Sequence, residues 1–272
     1  MSWTELRPRF CESIVSGPPE YVNAITSLFI AAAGFFGIYL NRQSSALIRF
    51  ICAILALTGL TSVPFHLTLQ SGWGYLDSTP MLLSSYMGVY AAYDLTLYIF
   101  IGDDRRTYEF WSGTLAFIVA TAMCFSMALN TFDETEQYFP ILFLIPEGFI
   151  AAYVLFARFY IYRDYFRGFD SISSESRELR RAFRVMSIGF GCALVAGILW
   201  GITEPICSKA PWLRYIYAHA IWHFGIAYGM YNLIVFIMFV NAFHRNKKPH
   251  FIEGRTPAQR VFYTVIPAII SH

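Results

Sequence analysis

The chain has 272 residues, 56% of them hydrophobic and only 14% charged, with a mean hydropathy of +0.47. A soluble globular domain carries about 25% charged residues, so the deficit points to a bilayer solvent, where a buried charge is expensive. A net charge of +2 does not point to a nucleic-acid partner.

Residues 1–20 form a short polar lead. They lack a charged segment followed by an apolar one, which predicts no cleavable signal peptide and leaves the first span as its own insertion signal. A membrane helix needs roughly 20 mostly apolar residues. Stretches 21–40, 46–68, 78–101, 111–130, 138–161, 183–201 and 215–240 qualify, with links too short for a second domain. The expected fold is an all-α integral membrane protein, a seven-helix bundle over residues 21–240. A basic tail follows at 241–272. Its last apolar piece, 261–270, is too short to span and is expected to lie along the membrane interface.

Lys and Arg set the orientation. All but four of the 20 basic residues fall on the side that holds the links after spans 1, 3 and 5 and the tail; the exceptions are Arg7, Arg9, Lys209 and Arg214. This predicts the N-terminus lumenal or extracellular and the C-terminus cytosolic. Of five cysteines, Cys52, Cys124 and Cys192 lie within spans, where cysteine usually packs as a small apolar residue. Cys11 and Cys207 both lie on the outer, oxidising side, which predicts a bridge between them; two free thiols are the alternative.

Six histidines are present. His244, His250 and His272 sit in the basic tail and read as solvated surface. His66 ends span 2, and His219 and His223 open span 7. Four residues apart, His219 and His223 share one helix face. The topology brings His66 to the same outer end of the bundle. Three neutral imidazoles with an open fourth position make a catalytic zinc site; three separately hydrogen-bonded histidines are the competing reading. Asp77 follows across a short link. A carboxylate there can take a proton from a metal-activated water and return it to a leaving amine, or simply cap a helix, since Asp77-Ser78-Thr79-Pro80 is good capping chemistry. Ser62, four residues before His66, can donate to an oxyanion or bond a neighbouring helix. Asp94, Glu147 and Glu204 read as structural hydrogen-bond partners.

These residues resemble the alkaline ceramidases. The likeness rests on Ser62 and His66 in Ser62-x3-His66, on Leu76-Asp77 followed by Pro80, and on His219-Ala-x-Trp-His223. Trp200 and Cys207 also fit that family's pattern around span 6. The resemblance implies zinc on His66, His219 and His223, Asp77 as general base and then acid, Ser62 steadying the oxyanion, and a Cys11–Cys207 bridge. The implied substrate is ceramide, reached from the bilayer, and the implied compartment is the endoplasmic reticulum or Golgi, with the plasma membrane as the alternative. Neither nucleic acid nor an obligate protein partner is implied. Family members that need calcium carry an acidic N-terminal cluster. Here Glu12 is kept and Glu20 stands as the later acid, but Arg9 and Ile14 replace an aspartate and an asparagine. Calcium prefers six to eight oxygens, so a calcium site on Glu12 and Glu20 is weakened and calcium-independent activity is expected. The rival within the superfamily is a zinc-binding receptor of the adiponectin/progestin type, expected with the opposite orientation.

Overall fold

The computed structural model describes residues 3–4, 6, 10–15, 17–42, 44–101, 132–156, 159, 174–244 and 247–270. The expected fourth span at 111–130, Cys124, Arg9, His272 and the side chains of Asp94 and His244 lie outside this description. The chain is an all-α membrane protein. Its long helices are α1 (Tyr21–Leu40), α2 (Ala46–Thr68), α3 (Ser71–Ile101), α4 (Phe132–Phe156), α5 (Ser174–Ile206) and α6 (Ala218–His244). By length and composition, four segments among the described residues can cross a membrane: α1, α2, Ser176–Ile206 and Pro211–Phe243. Phe29, Phe35, Leu57, Leu60, Val195 and Ile198 are exposed on these helices. So many bare apolar side chains suit contact with lipid, not water.

Helix α6 is the axis of the molecule. It packs against α1, α3 and α5, and Phe236, Phe239 and Val235 are fully buried along it. Helices α1 and α2 approach closely because small residues face each other. A Cβ on Gly34 would collide with the backbone of Ala56 and Cys52, and one on Gly59 would collide with Ala31. Small-on-small contact of this kind is how membrane helices gain packing without a hydrophobic drive between them.

Both ends of α1 and α2 and the end of α3 at Ile101 match the sequence reading, and the start of α3 and the bounds of the later helices differ. Leu69 adopts φ 52° and closes α2, and Gly74 N already donates to Gln70 O (3.0 Å). Helix α3 therefore begins at Ser71, not 78. Asp77 sits in its second turn, not at its N-cap. Pro80 remains inside the helix, past the first turn. Helix α5 starts at Ser174 and absorbs part of the charged link, and α4 starts at Phe132 within the acidic link. A short 3-10 turn, Pro211–Ile216, and the left-handed Tyr217 (φ 51°) redirect the chain into α6.

The tail is ordered. His250–Phe251 (β1) pairs antiparallel with Ile269–Ile270 (β2), and between them lies α7 (Pro257–Val265). Thr256 and Gln259 form a capping box at its start. Phe251 is buried under the bundle, its N–H donating to Glu178 Oε2 (3.1 Å), and Tyr231 Oη donates to Pro267 O (2.8 Å).

Candidate metal centre

The N-terminal segment, α1, α2 and α6 meet at one end of the bundle. There His66, His219 and His223 come together, each offering a ring nitrogen within 4.8 Å of the others, and all three are buried. The i, i+4 spacing of the α6 pair supplies one edge of the triangle. His66, at the end of α2, supplies the third corner.

Two of the three rings are held by their outer nitrogens. His66 Nδ1 is 2.8 Å from Glu20 Oε2. His223 Nδ1 is 2.9 Å from Thr26 Oγ1, whose own proton is directed to Val22 O (2.8 Å). Both contacts place the ring proton on Nδ1 and leave Nε2 as a lone pair facing inward. Nε2 of His66 is buried with no hydrogen-bond partner among the described residues. An orphaned, inward-facing acceptor is what a metal ligand requires, and an outer carboxylate that fixes the tautomer is its usual companion. These features fit a metal.

His219 differs. Trp200 Nε1–H donates to its Nδ1 (3.2 Å), while Glu204 Oε1 stands 3.8 Å from the same nitrogen and is buried without a partner among the described residues. An indole N–H is a donor only. A metal on Nδ1 would displace it, and a metal on Nε2 would put a second proton against it. In the second case Glu204 Oε1 is the acceptor in place.

Glu20 was a calcium candidate by resemblance; the structure gives its carboxylate a full set of protein donors. Oε1 accepts from Phe10 N (3.1 Å) and the Ser13 hydroxyl, and Oε2 accepts from Asn23 Nδ2 (3.1 Å) and His66. A carboxylate has about four lone-pair sites. Glu12 is also engaged. Its two oxygens accept from Val22 N (2.8 Å) and Asn23 N (2.9 Å), satisfying the first turn of α1.

The segment carrying Phe10 and Ser13 is pinned in place. Cys11 and Cys207 are bonded, with Cα atoms 5.6 Å apart, and Cys11 N donates to Glu204 Oε2 (2.8 Å). Phe10 then closes the cluster, its ring centroid 4.5 Å from that of His219 and 5.4 Å from that of His66.

Below the histidines opens a mostly apolar cavity of about 470 Å³, walled by Ser62, Asp77, Glu204, His219, Trp222 and His223 among others. A second apolar cavity of about 530 Å³ shares Phe143, Trp200, Trp222, Ile226 and Met230 with it and continues between α4 and α5. Volumes of this order hold small apolar ligands. Ser62 is buried, and the Ser27 hydroxyl lies 3.0 Å from it. Glu147 accepts from Ser85 Oγ (2.7 Å), the structural partnership expected of it.

Sequence reasoning identified the three histidines, Ser62 and Asp77, and the structure places all five on this one cavity and cluster. It did not assign Phe10, Thr26 or Glu20 to the histidines. Their partners lie far along the chain, and no local spacing marks them.

A buried triad of imidazoles at the head of an apolar cavity, in a membrane bundle, defines a class of intramembrane sites suited to an apolar substrate. Comparison with family models gives the particular family: the ceramidase model matches residues 9–269, and the chain belongs to that family. It is therefore a hydrolase acting on the amide bond of ceramide. No individually curated protein matches it.

Proposed function

We propose that the chain cleaves ceramide inside the bilayer with a zinc ion held by His66, His219 and His223, releasing a sphingoid base and a free fatty acid. The observation that carries this reading is the buried imidazole triad whose His66 Nε2 has no protein partner among the described residues. Zinc in such a site supplies a water that is acidic near neutral pH and a Lewis acid for the amide carbonyl.

The protein's own groups do the rest. Asp77, on the wall of the same cavity, takes the proton of the attacking water. As the C–N bond breaks, it passes that proton to the departing amine, so the carboxylate ends as it began. Ser62 donates to the carbonyl oxygen as negative charge develops there. The Ser27 hydroxyl reaches both Asn23 O (2.8 Å) and Ser62 Oγ (3.0 Å), which holds Ser62 in place at the cavity wall. The apolar walls hold the hydrocarbon chains and exclude bulk water. The second cavity, which continues from the first between α4 and α5, gives the substrate a lateral way in.

The remaining topology follows the charge pattern: seven spans, the histidine end lumenal, the tail cytosolic. Glycosylation tags placed at the two termini test it, and a glycosylated C-terminus would favour the receptor-like orientation instead.

Turnover of ceramide by the purified protein tests the chemistry. Asp77→Asn should lower the rate about 100- to 10,000-fold and Ser62→Ala about 10- to 1,000-fold, both with metal retained. Full activity in Asp77→Asn would remove Asp77 from the mechanism.

A further inference from the structure

The two apolar cavities share two acids, Glu147 and Glu204. Glu204 accepts from Cys11 N and stands beside His219. Glu147 has no part in the metal centre and no task in the hydrolytic chemistry described above.

Its carboxyl is only partly engaged. Oε1 accepts from Ser85 Oγ (2.7 Å), and no other hydrogen bond reaches this group among the described residues. A carboxylate has about four lone-pair sites. Oε2 is bare, and unlike the unpartnered Oε1 of Glu204 it keeps accessible surface. The side chain that carries it lines both cavities. An acid at membrane depth is costly and points to a function. Ser85 alone does not call for one, since Ser84 beside it satisfies its hydroxyl on its own helix, at Met81 O (2.8 Å).

The depth of Glu147 matches that of the reacting bond. The Phe143 ring meets that of Trp222 (6.2 Å), the neighbour of His223. Glu147 is one turn further along α4, about 6 Å deeper. Ser62 stands one turn from His66 along α2, also about 6 Å deeper than the histidine. A carbonyl oxygen held at Ser62 therefore puts the amide level with Glu147, across the first cavity. An extended chain advances about 1.2 Å per bond. The 3-hydroxyl of a sphingoid base, four bonds from the amide carbon, then lies about 5 Å along the chain that continues from the nitrogen. Beyond it the walls of the second cavity, with Ile226 and Met230 common to both, take the hydrocarbon.

We propose that Glu147 Oε2 binds the 3-hydroxyl of the sphingoid base and makes that hydroxyl a requirement for the substrate. This rests on the hydrolytic reading above and adds a specificity group to it. Ser85 fixes the carboxyl from behind. An N-acyl amine without the hydroxyl leaves a buried acceptor unpaired in an apolar cavity, the kind of mismatch that rejects an analogue strongly.

Ceramide, 3-deoxyceramide and 1-deoxyceramide are compared in two ways. Turnover is measured on the full-length protein, and retention of intact lipid is read by native mass spectrometry on its D77N variant, which holds lipid without cleaving it. Ceramide should be favoured over 3-deoxyceramide about 10- to 100-fold in both readings, the value of a hydrogen bond to a charged group. 1-Deoxyceramide should stay close to ceramide. In E147L the preference should collapse to within about twofold, whereas E147Q, which keeps an acceptor oxygen, should retain most of it. Equal zinc content in the three proteins checks their folding. A merely structural Glu147 would lower turnover of both lipids alike in E147L and leave their ratio unchanged, which overturns the proposal. So does a wild-type ratio near one, or a preference lost on 1-deoxyceramide instead. Selective retention without any turnover would uphold the role of Glu147 and sink the hydrolytic reading; turnover without selectivity would do the reverse.

Discussion

Replacing Glu20 by glutamine leaves the shape of the buried carboxylate and removes half its accepting capacity. In the wild type all four of its hydrogen bonds come from donors: Phe10 N–H, the Ser13 hydroxyl, Asn23 Nδ2 and His66 Nδ1. A glutamine has one acceptor oxygen and one NH₂ group. If the NH₂ faces His66, the ring must accept on Nδ1, and its proton moves to Nε2, where it blocks coordination. If the NH₂ faces Phe10, a buried backbone N–H is orphaned at about 1–3 kcal/mol. Loss of an outer hydrogen-bonding partner lowers metal affinity about 10- to 100-fold, or roughly 1.4–2.8 kcal/mol at 1.4 kcal/mol per tenfold. Competition with a chromophoric zinc chelator measures it directly on the purified protein. Thr26→Val, which removes a neutral hydroxyl from His223, should cost less than tenfold. Zinc affinity unchanged within twofold in a folded Glu20→Gln protein would refute the assignment of Glu20 as the positioning group of His66.

Other changes have equally definite outcomes. Breaking the Cys11–Cys207 bond with serines reopens a loop of sequence separation 196, which chain entropy values at about 5 kcal/mol. Thermal unfolding should shift down, and zinc affinity should fall with it, because Phe10 and Ser13 are released from Glu20. Trp200→Phe removes the indole that competes for His219 Nδ1 and should leave zinc affinity equal or higher, whereas Glu204→Gln should lower it severalfold. The reverse order would show that Trp200, not Glu204, supports the loaded ring. A calcium-selective chelator should leave ceramide turnover within about twofold, since four protein donors occupy Glu20 and both oxygens of Glu12 are engaged by the start of α1, leaving few of the six to eight oxygens calcium prefers. Collapse of activity would mean that calcium displaces those donors.

The parts of this molecule that were legible in the sequence are those written in one dimension. Apolar runs of membrane length marked α1 and α2 to the residue, and His219 and His223 shared a face by spacing alone. The alternation of spans put His66, at the end of span 2, beside the start of span 7. The start of α3 was missed because Gly72 and Gly74 and the apparent capping run at Asp77 read as a link. In the structure the left-handed Leu69 and the Gly74–Gln70 hydrogen bond begin the helix earlier. Glu20 was read through its resemblance to a calcium ligand because its tie to His66 spans 46 residues. Glu204 was seen as a structural acid, and it is one, for Cys11. Its nearness to His219 is a product of the disulfide and the turn into α6, neither of which has a local signature. The tail's order depends on burying Phe251 and Ala268 beneath the bundle, a contact invisible to composition.

Metal analysis by mass spectrometry on the protein purified without chelators, beside H219A/H223A, bears most directly on the central claim. About one zinc per chain in the wild type, lost together with ceramide turnover in the double variant, is the predicted result. Wild-type protein that turns over ceramide at full rate with no bound metal would contradict it.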